Sequence, residues 1–123
     1  MKHPTLMTDV FEDIQMFADA CDQEPSDANY KLYLDLIEEE FAELQDAVAL
    51  EDRVEQLDAL IDILVVTIGA IRAGGFAGRQ AWEEVMKTNF AKIDPDTGKV
   101  NKREDGKVLK PEGWVAPNLD KFV

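Results

Sequence analysis

Apolar residues recur along this chain every three to four positions, in stretches separated by short polar breaks. That period predicts helices, four of them. The first runs roughly over 8–22, with Val10, Phe11, Ile14 and Phe17 on one face, Thr8 as N-cap, and Pro25 and Ser26 closing it. The second runs roughly over 29–50, with a stripe of Ile37, Phe41, Leu44 and Val48. The third runs roughly over 53–73. Its stripe is Leu57, Leu60, Ile61, Leu64, Ile68 and Ile71, and Gly74-Gly75 supplies the stop. The fourth, roughly 78–93, carries Trp82, Val85, Met86 and Phe90 and ends at the sequence DPDTG. Beyond it the helical period is lost. Lys99-Val-Asn-Lys102 and Lys107-Val-Leu-Lys110 flank Asp105-Gly106, a hairpin-turn signal, so a short hairpin or extended arm is expected before a proline-containing tail from Pro111. The fold class expected is all-α: a bundle of four to five helices with a short C-terminal hairpin or arm.

With 123 residues, one domain covering 1–123 is expected, since no internal repeat or linker interrupts the chain. The 46% apolar content excludes a disordered chain. A transmembrane span is not expected, because the longest apolar stretch, Leu60 to Ile71, is broken by Asp62. The opening sequence MKHPTLMTDVFEDI turns acidic too early for a signal peptide, and the single cysteine, Cys21, cannot form an intrachain disulfide. The cytoplasm is the expected compartment. A net charge of −13 argues against binding a nucleic-acid backbone, which needs a basic footprint. The charge is also uneven. Residues 1–91 hold 20 acids against 6 bases, whereas residues 92–110 hold 6 bases against 4 acids.

The acids of the second and third helices form a pattern. Glu39, Glu40 and Glu43 follow an E-E-x-x-E spacing, and Glu40 and Glu43 lie roughly 60° apart beside the apolar stripe, with Leu36 between them in angle. Glu55, Asp58 and Asp62 share one face of the third helix at i, i+3 and i+7. The second half of that helix is apolar all round, so Asp62 falls inside a segment expected to be buried. A buried carboxylate demands a basic partner or a metal, and no Lys or Arg lies between Arg53 and Arg72. Oxygen ligands alone select a hard cation, Mg²⁺ with Mn²⁺ as substitute. The only histidine is His3, which speaks against zinc and against a ferritin-like di-iron centre. Mg²⁺ commonly retains substrate phosphate oxygens in its shell, which points to a phosphorylated substrate. Against this stands a simpler expectation, a solvated acidic face on a non-catalytic helical interaction module.

Glu39-Glu40-Phe-Ala-Glu43, followed by Glu55-Gln-Leu-Asp58, resembles the motif of the MazG-like all-α nucleoside triphosphate pyrophosphohydrolases. LDALIDILVVTIGAI, MKTNFAKID and KREDGKVLKPEGWVAPNL resemble a phosphoribosyl-ATP-pyrophosphatase-like subgroup, so the likeness extends over about 30–119. The resemblance implies hydrolysis between the α and β phosphates, giving a nucleoside monophosphate and pyrophosphate. It implies metal binding by Glu39, Glu40, Glu43, Glu55, Asp58 and Asp62, with Glu40 or Glu43 as the catalytic base. Glu55/Asp58 and Asp58/Asp62 both remain open as the working pair on the third helix. Asn89 and Lys92, at i and i+3 on the fourth helix, are candidate substrate ligands, joined by Arg103, Lys107 and Lys110 on the arm. A homodimer or a dimer of dimers is expected as well, because four helices in a short chain cannot cover the apolar surface of the run ILVVTIGAI.

Overall fold

The computed structural model describes residues 9–123, so Thr8, expected as the first N-cap, and His3 lie outside the described residues. The architecture is all-α, with helices α1 (Val10–Ala20), α2 (Asp27–Ala49), α3 (Arg53–Ala73) and α4 (Gly78–Phe90). A minimal antiparallel pair follows, β1 (Ile93–Asp94) and β2 (Lys99–Val100), and a single 3₁₀ turn lies at Asp120–Phe122. The chain divides into two compact units, one ending at Gly78 and the other spanning Arg79–Val123.

In the first unit each helix start is fixed by a side chain that satisfies otherwise unpaired amides. Asp9 accepts from the amides of Phe11 and Glu12. Ser26 accepts from the Asn29 amide, so it opens α2 rather than closing α1, and α2 begins two residues earlier than the apolar period indicates. Asp52 accepts from the Glu55 amide and opens α3. The α2–α3 link is short because Glu51 turns the chain at φ 55.

The interior is made of small residues. Ala18, Ala47, Ala59, Ile68, Gly69, Ala70 and Ala73 are buried. Phe41, Val48, Leu57, Leu60, Ile61 and Leu64 are between 49% and 62% exposed. The stripes expected to face the core of the chain are thus largely outside it. Along the α2–α3 seam Gly69 leaves room for the Tyr33 ring, while Phe41, Val48, Leu57 and Leu64 remain exposed. Helix α1 is tied to α3 by Arg72. Its guanidinium donates to Gln15 Oε1 (2.9 Å), the Gln23 carbonyl (2.7 Å) and Asp19 Oδ1 (3.2 Å).

Gly69 is a tight point of that seam. A Cβ there would run into the ring of Tyr33, which is itself pinned by its hydroxyl donating to Gln23 Oε1 at 2.5 Å. Replacing glycine by alanine in a helix gains about 1 kcal/mol of propensity, whereas overpacking costs about 1–3 kcal/mol. Gly69→Ala is therefore expected to lower stability by up to about 2 kcal/mol in urea unfolding, the overpacking cost winning over propensity. Adding Tyr33→Phe frees the ring to swing, so the double variant should lose less than the two single changes together.

In the second unit α4 ends at Phe90, three residues before the expected stop. The sequence DPDTG does more than end a helix. It turns β1 into β2, with Ile93 opposite Val100, the Gly98 amide donating to the Asp94 carbonyl (2.8 Å), and Gly98 at φ 70. The expected turn at Asp105-Gly106 follows. Lys102 bridges to Val108, and the Arg103 amide donates to the Lys107 carbonyl at 2.8 Å.

Candidate functional site

Four of the six acids expected to bind metal form one group. Glu40 and Glu43 lie one turn apart on α2, and Asp58 and Asp62 lie one turn apart on α3. Two of them, Glu40 and Asp62, are shifted by the others. The Glu40 carboxyl is pushed up to about 7, first by burial, then by the approach of the Glu43 carboxyl, and then by the charges of Glu43, Asp62 and Asp58. Asp62 is pushed above the ordinary carboxylate range by burial first, then by the charges of Asp58 and Glu43 and the approach of the Asp58 carboxyl. Glu39 and Glu55 are exposed and are not among the groups that act on Glu40 or Asp62. On α3 the interacting pair is Asp58/Asp62.

One atom stands out in this group. Glu40 Oε2 is closed off from solvent and has no hydrogen-bond partner. Among the described residues no lysine or arginine pairs with Glu40, Glu43, Asp58 or Asp62, and of the two arginines on α3, Arg53 and Arg72, the second is engaged with α1. An enclosed carboxylate oxygen surrounded by acids and lacking a donor is costly unless a cation or a proton joins it. The donor set is all oxygen, which suits Mg²⁺ or Mn²⁺. Among the described residues, no three acidic, histidine or cysteine side chains are gathered tightly enough to hold a metal ion as they stand. Bare carboxylates repel one another, and the exposed Glu43 and Asp58 keep the rotamer freedom to close on a cation. The orphaned oxygen and the chemistry of the donors fit a hard divalent ion.

In the second unit two of the five expected substrate ligands, Lys92 and Lys110, meet on Trp114, a residue that the sequence did not single out, and a third, Asn89, bonds to Lys92. Lys92 Nζ donates to Asn89 Oδ1 at 3.1 Å. Lys92 Nζ and Lys110 Nζ each lie 5.0 Å from the ring centre of Trp114. The Trp114 indole donates to the Thr88 carbonyl at 2.7 Å, which fixes the tail against the last turn of α4. A lone tryptophan in a proline-containing tail has no period to reveal it. The available signal was its place four residues after Lys110. Arg103 and Lys107 stay in the arm: Arg103 forks onto Asp105, with Nε to Oδ1 at 3.0 Å, and holds the Asp105 carboxyl below the usual range. Lys107 is exposed in the same turn. Beside Trp114 a cavity of about 380 Å³ is lined by Lys87, Thr88, Ala91, Pro111 and Ala116.

No curated protein matches the chain. The family model of phosphoribosyl-ATP pyrophosphohydrolase matches residues 11–89, a span that includes all six acids and ends at Asn89. The chain therefore belongs to the phosphoribosyl-ATP pyrophosphohydrolase family, within the MazG-like all-α superfamily, and is a pyrophosphohydrolase acting on a nucleotide.

Proposed function

We propose that this chain hydrolyses a nucleoside triphosphate, or a related nucleotide, between the α and β phosphates in an Mg²⁺-dependent reaction, releasing a nucleoside monophosphate and pyrophosphate. The observation that carries this reading is Glu40 Oε2, enclosed, without a donor, and facing the field of three further acids. Glu40, Glu43, Asp58 and Asp62 would hold the cation. When bound, Mg²⁺ supplies Lewis-acid stabilisation of the charge that develops on the phosphate chain. The protein's own part is positioning and proton transfer. Glu40, its carboxyl pushed up to about 7 with Glu43 one turn away, takes the proton of the attacking water. Glu39 and Glu55 are assigned to the rim of the acidic group, not to its centre. Lys92, Lys110 and Asn89 supply charge and hydrogen bonds for the substrate. A panel of NTPs and dNTPs with Mg²⁺, scored for both pyrophosphate and orthophosphate, tests the reaction. Pyrophosphate release from at least one nucleotide is expected. Orthophosphate alone across the panel would sink the reading, and no release at all would favour a non-catalytic acidic module.

The same reading includes self-association through α2 and α3. The exposed apolar residues Phe41, Val48, Leu57, Leu60, Ile61 and Leu64, together with an open groove lined by Val54, Leu57 and Leu60, give a face suited to a second copy. Sedimentation at micromolar concentration is expected to show a dimer or a dimer of dimers. Leu57→Glu with Leu64→Glu should shift it to monomer, and a parent that sediments only as monomer would contradict the proposal.

A further inference from the structure

Lys92 and Lys110 share a single aromatic ring. Among the described residues no lysine has a carboxylate partner, these two included. Both ammonium groups are instead held over one indole, each 5.0 Å from its centre, so they lie no further apart than twice that distance. Trp114 is held through both its indole and its backbone. Its Nε1–H donates to the Thr88 carbonyl, and the Trp114 amide donates to the Pro111 carbonyl at 3.1 Å. A single lysine over an aromatic ring is ordinary surface packing, as with Lys121 over Phe122. Two lysines on one ring repel each other, and an anion reaching both removes that repulsion. Asn89 orients Lys92 and keeps its own amide group against only the weak acceptor Met86 Sδ, at 3.7 Å, so a donor remains for a ligand.

We infer that Lys92 and Lys110, held by Trp114, form a clamp for a phosphate chain. The ligand class follows from the nucleotide reading above, and the chain concerned is that of a nucleotide or of free polyphosphate. Two compact ammonium charges on one ring suit successive phosphate groups rather than a single carboxylate. The clamp lies C-terminal to the segment matched by the family model, which ends at residue 89. Trp114 acts as a positioning residue. Arg103 takes no part, since Asp105 already occupies its guanidinium.

The two tryptophans are Trp82 and Trp114, so in a Trp82→Phe background the indole emission reports on Trp114 alone. Titration of that protein with inorganic tripolyphosphate in EDTA is expected to give a saturable change in emission. Lys92→Ala and Lys110→Ala should each weaken binding about tenfold or more. Lys110→Arg should restore most of it, and Lys121→Ala should leave it unchanged. Trp114→Leu, followed by calorimetry, should weaken binding, with Trp114→Phe recovering part of the loss. Absence of saturable binding, or binding indifferent to Lys110→Ala in a protein of unchanged helical content, overturns the clamp. If Lys110→Ala also raises KM with kcat retained, the phosphate chain is the substrate's; if KM does not move, it is that of a free polyphosphate. A parent that binds tripolyphosphate but releases no pyrophosphate from any nucleotide overturns the hydrolytic reading and leaves the clamp standing.

Discussion

Glu40→Gln and Glu43→Gln should each abolish measurable pyrophosphate release while helical content stays at the parent level. The substitution preserves size and removes the charge, so it separates chemistry from packing. At Glu40 it places a neutral amide where an enclosed oxygen has no donor and three acids stand close by. The fold should tolerate that change and even gain from it, because the repulsion is relieved. Catalysis should not. Losing a ligand or a base from a preorganised group costs on the order of 10²-fold or more in turnover. Glu43 is exposed, and its replacement removes a proposed ligand whose charge acts on Glu40, with an equally large expected loss. Glu39→Gln, outside this group, should retain much more activity than either. Glu51→Gln, at the α2–α3 turn, should match the parent. Steady-state assays of pyrophosphate release with circular dichroism on each variant check the series. Full activity in both Glu40→Gln and Glu43→Gln would mean that the acids serve only as a solvated face.

The helix pattern was legible because apolar period and caps agree, and α3 spans the residues that its period marks, 53–73. What the period could not say is which apolar stripe faces the rest of the same chain. Leu57, Leu60 and Leu64 repeat as a core stripe does, yet they stay half-exposed while Ala59, Gly69, Ala70 and Ala73 form the seam. Periodicity registers hydrophobicity, whereas close helix approach selects for small side chains, and those carry a weak signal. The acids were legible for the opposite reason. Asp62 conflicts with the apolar segment around it, and local conflicts of that kind mark functional positions. The separation of Glu40 from Glu39 depended on which carboxylate α3 faces, a tertiary fact. Trp114 gains its role through the Thr88 carbonyl, 26 residues away, and no local pattern encodes that contact.

Metal-free protein should lose stability as pH rises from about 5 to about 8, and Mg²⁺ should restore it mainly at the upper end of that range. The sign follows from Glu40, whose carboxyl titrates near 7 when folded against an ordinary value of 4.5. Between those values the folded chain holds a proton that the unfolded chain has released. Stability therefore falls with rising pH through this window. The contribution is fully present below the unfolded value and is gone above the folded one. Asp62, shifted in the same direction, adds to the slope. Asp105 is shifted the other way by Arg103, but that pair is exposed and its effect lies at lower pH, so it does not mask the trend. Mg²⁺ competes with the protons, and its binding should release them, so its stabilising effect should grow with pH. At a concentration about 100 times its dissociation constant it adds about 2.7 kcal/mol, which raises the melting temperature by roughly 10 °C for a chain of this size. Asp62→Asn should raise the melting temperature of the metal-free protein at pH 8 and shrink the Mg²⁺ increment there. Thermal melts of parent and variant at pH 5 and pH 8, with EDTA or with Mg²⁺, read both effects at once. A metal increment equal in parent and Asp62→Asn would remove Asp62 from the ligand set. A flat pH profile in EDTA that Glu40→Gln does not change would show that the carboxylates are too far apart to repel, and the proposed centre would fail with it.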